Sequence, residues 1–286
     1  MVIFTAEVGG EILKVKLRDS CFPHQNALGL AGENIDKHPA YFSWDRSEGD
    51  ADVMVFTDNW IKTAPEANAK KKIALMIEPV DVTPVHYGEL LDNPDWIDIV
   101  LTNDRDLADR SLIDGGNMFW YPFGGSWLAD WGVHQKTEIL SMIVGEKTQT
   151  YGHKLRHMIA EKVEGPHLYG KPYTSYLESK SPMLKPYMYS IVVENSQAWF
   201  TEKLIDCLSQ GTVPIYWGMD LRWSFNMQGI LQFQSISELV EILKTISIDD
   251  YVNRLWAVQE NLERATLYAV AEDYIYKAYR GIFDAS

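Results

Sequence analysis

The chain has 286 residues, with 40 Asp and Glu against 26 Lys and Arg, and a formal net charge of −14. So acidic a chain lacks the basic face that displaces counterions from phosphates, which excludes nucleic acid as the expected partner. At 46% hydrophobic and 23% charged residues it has the apolar surface to offset chain entropy, which excludes disorder, and its length suits one large or two ordinary domains.

The start, MVIFTAEVGGEILKVKL, has no basic region ahead of its apolar run, and Glu7 interrupts that run. No stretch approaches the roughly 18–20 apolar residues that span a bilayer. A soluble, cytoplasmic protein without a transmembrane segment is the expectation. Cys21 and Cys207 are too few for a disulfide framework or a four-ligand zinc site and read as reduced thiols. Short apolar runs predict strands over 11–16, 52–56, 72–77, 97–102 and 117–121, with Asn103 and Asp104 capping a helix over 104–112. The turn-rich stretch YPFGGSWLADWG at 121–132 separates these from a second series. That series has strands at 138–144, 167–169, 189–193 and 213–217, and helices at 151–162, 201–209, 236–246 and 250–281. Tyr251, Trp256, Tyr268, Tyr274, Tyr276 and Tyr279 are expected to form the buried stripe of the last helices. Strands alternating with helices predict an α/β chain with parallel sheets. The division suggests two Rossmann-like domains, residues 1–135 and 136–286.

Charge follows the same division. Residues 1–135 hold 11 Lys and Arg against 22 Asp and Glu, whereas residues 136–286 hold 15 against 18. Within 136–203 the balance is 9 against 7, a local basic excess in an anionic chain.

The most informative segment is YSIVVENSQAWFTEKLIDCLSQGTVPIYWG, residues 189–218. An apolar strand delivers Glu194, Asn195 and Ser196 to its carboxyl end, where open α/β sheets bind ligands. Thr201 then caps a helix whose first turn carries Glu202 and Lys203. A lysine opposes the dipole at a helix start, so a phosphate ligand explains it better than helix stability does. The competing reading is an exposed surface lysine.

The motif ENSQAWFTEKL…GTVPIYWG resembles the donor-binding signature of the family 10 α-1,3/1,4-fucosyltransferases, in particular a soluble bacterial- or viral-like member. The resemblance is specific over about 30 residues, weaker over the rest of 136–218 and thin over the first 135. It implies the GT-B architecture, two Rossmann-like domains facing across a cleft, with a helical C-terminal tail, here expected to pack back on the first domain. It further implies inverting transfer of fucose from GDP-fucose to a glycan acceptor. By the same resemblance Asn195, Glu202 and Lys203 would contact the donor, with Lys203 on the diphosphate. Arg156, in SMIVGEKTQTYGHKLRH, stands where the family has a second diphosphate-binding cation, and Lys171, in LYGKPY, is a further candidate. Glu194 and Ser196 would support the donor pocket from the strand edge. Trp199 replaces the family's usual Tyr, keeping a flat face for the pocket but losing the phenol. Glu78, ending the run KKIALMIEPV, stands where the family places its catalytic base. Its competing role is a strand-end carboxylate paired with Lys70, Lys71 or Lys72. No cofactor or metal is expected, because Arg156 and Lys203 would neutralise the departing diphosphate.

Three other patterns compete. Asp104-Arg105-Asp106 spells the D-x-D of metal-dependent glycosyltransferases, but it opens a helix where acids favour the dipole anyway. His153 and His157, at i and i+4, have zinc-like spacing without an evident third ligand. A glycoside hydrolase could use Glu78 with Glu194 or Glu202, yet would not need paired cations at a helix start. A non-catalytic nucleotide-sugar- or glycan-binding protein of the same fold is the remaining alternative.

Overall fold

The computed structural model describes residues 13–174 and 178–284, so positions 11 and 12 of the first expected strand lie outside the described residues. The first sheet contains β1 (Leu13–Arg18), β2 (Phe42–Asp45), β3 (Ala51–Thr57), β4 (Ala69–Leu75), β5 (Ile99–Thr102) and β6 (Met118–Trp120). The second contains β7 (Glu138–Ile143), β8 (His167–Tyr169), β9 (Tyr187–Val193), β10 (Val213–Trp217) and β11 (Leu231–Gln232). Strand order is β2-β1-β3-β4-β5-β6 in one and β11-β10-β9-β7-β8 in the other. All pairings are parallel. Strand order therefore reverses between β1 and β3 in the first sheet and between β7 and β9 in the second, and such reversals open crevices at the carboxyl edge.

Besides five 3-10 segments, one of them Asp58–Glu66, the described chain has eight α-helices: α1 (Pro84–Asp92), α2 (Arg105–Ile113), α3 (Tyr151–Lys162), α4 (Ser181–Leu184), α5 (Glu202–Ser209), α6 (Ile236–Leu243), α7 (Ile248–Ala265) and α8 (Ala271–Ala278). Among the described residues no helix is long and apolar enough to cross a membrane. β9 and β10 are buried at every position, the pattern of parallel strands covered on both faces. One face of the second sheet packs on α3, α6 and α7 through Leu155, Leu239 and Val258. The other receives Leu204, Ile205 and Leu208 of α5. In β3, Met54 and Phe56 face Tyr87 and Leu90 of α1, whereas Val53 and Val55 face the opposite way, toward Ala271 and Ile275 of α8. The last helix thus completes the core of the first sheet.

Several boundaries differ from the sequence expectation. The expected helix over 250–281 is two helices, separated by a 3-10 turn at Thr266–Tyr268. The chain leaves the second sheet there and crosses to the first, with the Tyr268 carbonyl accepting Gly125 N–H at 2.8 Å. One straight helix could not cover both sheets. Trp256 is 60% exposed on α7 and so does not belong to a buried stripe, whereas Tyr251 and Tyr268 are buried. Neither β2 nor α1 is foreseen, because the short, half-buried FSWD has no apolar run and α1 presents only Tyr87 and Leu90 inward. β4 stops at Leu75, short of Glu78: the Ile77 N–H leaves the ladder for the Asp58 carboxylate, at 3.0 Å.

Candidate active site

The carboxyl edges of the two sheets face each other. Ser196, just beyond β9, donates its hydroxyl to Asp81, beyond β4, at 2.8 Å. Two cavities of about 220 and 610 Å³ open at the β7/β9 reversal. Arg156, Glu202 and Lys203 line the smaller one together with Lys180 and Trp127. Arg156, Lys147 and Lys171 line the larger.

Arg156 sits one turn into α3, whose N-terminus is capped by Thr150. It is only 8% exposed, donates to the Asn195 side-chain oxygen, and makes no ion pair among the described residues. Burial lowers its pKa, opposed by Glu194 and Glu202. α3 reaches this position because Gly152 lies against the end of β9, where an added Cβ would stand 1.8 Å from the Glu194 carbonyl. Helix propensity alone favours alanine there by about 1 kcal/mol. The clash is the larger effect, so Gly152→Ala is expected to destabilise by about 1–3 kcal/mol. The midpoint of urea unfolding measures this, and a more stable variant would show that α3 is not pinned by this contact.

Lys203 lies in the first turn of α5. Its Nζ donates to Thr201 Oγ1 at 3.0 Å, with Glu202 at 3.4 Å and Glu194 at 3.6 Å. Thr201 caps α5 as the sequence suggests, its hydroxyl accepting Lys203 N–H. Glu194 is fully buried, and its two oxygens accept the Thr201 N–H and hydroxyl at 2.8 and 2.7 Å. Glu194 therefore braces the cap and has no oxygen turned into the cavity, which also removes it as one of a hydrolase's two carboxylates. Burial would raise Glu202, but Lys203 and Lys180 hold it down to about 2.

Lys180 and Trp127 belong to this wall and are not foreseen from sequence. The Lys180 ammonium lies 3.7 Å from the Trp127 ring centre and 2.8 Å from Asp206. Burial works against that charge, yet Asp206 and Glu202 keep its pKa raised. Asp206 also accepts the Ser126 hydroxyl and the Trp127 N–H, fastening the segment between the sheets to α5.

The remaining candidates divide. Ser196 reaches across to Asp81, and Asn195 orients Arg156. Lys171 stands on the exposed rim, paired with Glu146 at 2.8 Å. Trp199 does not form a flat wall of either cavity. It is buried in the first sheet's core against Phe123, their ring centroids 5.6 Å apart, because the loop after β9 inserts there. Glu78 stands on the first sheet's side of the cleft, with a buried Oε2 that has no hydrogen-bond partner. Burial raises its pKa, with Lys203 and Lys147 opposing. None of Lys70, Lys71 or Lys72 pairs with it: Lys70 meets Asp52, and Lys72 donates to the Ala64 carbonyl.

The competing patterns serve local structure. Asp104 Oδ1 accepts Leu107 N–H as the cap of α2. His153 Nδ1 accepts Thr150 N–H in the cap of α3, and His157 meets the Lys147 carbonyl. Burial, then Arg156 and Lys147, hold His153 down to about 4.

These groups set a pH dependence. Burial raises Asp58 to about 7, and Glu272, which anchors α8 by accepting Leu28 N–H, also to about 7. An acid raised on folding contributes stability below its unfolded pKa and loses it as pH rises through the folded value. His153, lowered on folding, acts oppositely over the same window. Against one imidazole stand Asp58 and Glu272, joined by Glu78, Glu194, Asp206 and Asp273, which burial also raises, so stability falls as pH rises from about 5 to about 6.5. Melting temperatures across that window, for the native chain and for Glu272→Gln, check this: the variant is expected to show a flatter slope.

No family model matches the chain, and no curated protein matches it in sequence. Solved structures do match. An α1,3-fucosyltransferase solved with GDP shares 14% identity, covering 93% of this chain and 94% of its own, at a TM-score of 0.53. A second α1,3-fucosyltransferase structure gives 15%, 96% and 92%, at 0.54. A UDP-forming α,α-trehalose-phosphate synthase from Burkholderia xenovorans gives 9%, 80% and 73%, at 0.51. With two parallel α/β sheets opposed at their carboxyl edges, the chain has the GT-B glycosyltransferase fold.

Proposed function

We propose that the chain is an inverting glycosyltransferase that moves fucose from GDP-fucose to a glycan hydroxyl. The observation that carries this reading is Arg156, a buried guanidinium whose side-chain partner is a neutral amide, lining the cavities at the strand-order reversal. A buried cation with no direct ion pair is costly, Glu194 and Glu202 offset burial only in part, and an anionic ligand reduces that cost. Lys203 at the start of α5 and Lys147 on the cavity wall add positive charge beside it.

In the proposed reaction the acceptor oxygen attacks the anomeric carbon as Glu78 takes its proton. The bond from that carbon to the diphosphate breaks, and its electron pair leaves with GDP. Arg156 and Lys203 would stabilise the charge that develops there. A carboxylate with a raised pKa and a free oxygen suits the base, since proton transfer is most effective when the pKa lies near the working pH. With these cations in place the reaction needs no metal. The choice of GDP and fucose rests on the ENSQAWFTEKL…GTVPIYWG resemblance and on the neighbours, one solved with GDP and one with GDP-fucose.

A thermal-shift comparison of nucleotides tests the donor. GDP at about 100 times its Kd is expected to add about 2.7 kcal/mol of stability. Stabilisation by UDP or CMP with none by GDP would end the fucosyltransferase reading.

A further inference from the structure

Four backbone polar groups of residues 76–78 are held by side chains from outside that segment. The Met76 carbonyl accepts the Tyr121 hydroxyl at 2.8 Å. The Ile77 N–H donates to Asp58 Oδ1 at 3.0 Å, and its carbonyl accepts Asn103 Nδ2 at 2.6 Å. The Glu78 carbonyl accepts the Tyr87 hydroxyl at 3.3 Å. The Glu78 carboxylate, in contrast, keeps a buried oxygen with no partner. The backbone is fixed while the side chain is left free.

Asp58 stands apart in this cradle. Among the described residues it is the one non-glycine residue with a positive φ, +32°, and it is 3% exposed. A left-handed backbone and a buried carboxyl both cost stability, and the second oxygen meets Cys21 Sγ at 3.9 Å. Strain of this kind persists where the surrounding structure holds a functional geometry. Asp58 lies just beyond the carboxyl end of β3, beside the strand-order reversal of the first sheet.

We infer that Asp58 is a positioning residue for the base: by holding the Ile77 amide it aims the Glu78 carboxylate across the cleft. This rests on the reading of Glu78 as the base. Misplacing a reacting group by about 1 Å costs about 10²-fold in rate.

Glycine accepts the Asp58 backbone conformation without strain, so Asp58→Gly removes the carboxylate without forcing a backbone change. Asparagine also tolerates positive φ and keeps an oxygen for the Ile77 amide. The readout is release of GDP from GDP-fucose in water, with the GDP thermal shift as the measure of an intact fold. Asp58→Gly is expected to lower kcat about 10²-fold with KM and the GDP shift unchanged. Asp58→Asn should restore the rate to within a few-fold of the native chain. Added to Glu78→Gln, Asp58→Gly should lower the rate no further, because it acts through the group already removed. A native kcat in Asp58→Gly overturns the inference, as does an equal further loss on the Glu78→Gln background. If Asp58→Gly does not fold, Asp58→Asn decides: a loss as deep as that of Glu78→Gln overturns it too. A native rate in Glu78→Gln itself is a different failure, and it removes the base reading together with the role of Asp58.

Discussion

Glu78→Gln is expected to lower fucosyl transfer by about 10²- to 10⁴-fold while leaving GDP binding intact. Glutamine preserves the shape of the side chain and leaves the backbone cradle untouched, but it cannot accept the proton. The loss should appear in kcat, with KM for GDP-fucose unchanged, because a base acts on the acceptor hydroxyl and not on the nucleotide. If Glu78 is the base, its raised pKa should put the acid limb of the native rate profile above the ordinary carboxylate range. That limb should vanish in the variant. Transfer and donor hydrolysis at the native rate would mean that another group takes the proton. Asp81, already engaged by the Ser196 hydroxyl, would be the next to replace.

Arg156→Met separates a ligand-binding cation from a structural one. A guanidinium in this position donates charge-assisted hydrogen bonds worth about 1.5–3 kcal/mol each when an anion is bound. Its loss is expected to weaken GDP binding by about ten- to a hundredfold, read by calorimetric titration. Without ligand the sign should reverse. The native side chain is a buried charge with an amide for a partner, so an apolar chain of similar length should leave the melting temperature unchanged or raise it. Loss of stability with undiminished GDP affinity would assign Arg156 to the scaffold. Arg156→Lys is not a mild control, because an ammonium cannot reproduce the guanidinium fork toward Asn195 and a diphosphate together.

What the sequence made legible was local. A buried strand, a tight loop and a capped helix lie within 189–209, so the positions of Glu194, Thr201 and Lys203 follow from chain connectivity, and α3 places Arg156 by the same logic. The illegible parts depend on distant contacts. Lys180 precedes a four-residue helix and carries no motif, yet it reaches Asp206 and stacks on Trp127 from the segment between the sheets. Asp81 meets Ser196 across 115 positions of sequence. Trp199 misleads because an aromatic residue in a donor motif reads as a pocket wall, and only the facing sheet reveals a core waiting for it. Asp58 shows no pattern at all. Its importance lies in a backbone angle and in an amide 19 residues away.

The placement of α8 has a consequence for the order in which the molecule is made. Val53, Val55 and Leu75 present one face of the first sheet to Ala271, Ile275 and Phe283, residues synthesised about 200 positions later. The amino-terminal half therefore emerges from the ribosome with that face bare and cannot mature vectorially, half by half. Such an interval favours aggregation and chaperone engagement until α8 is in place.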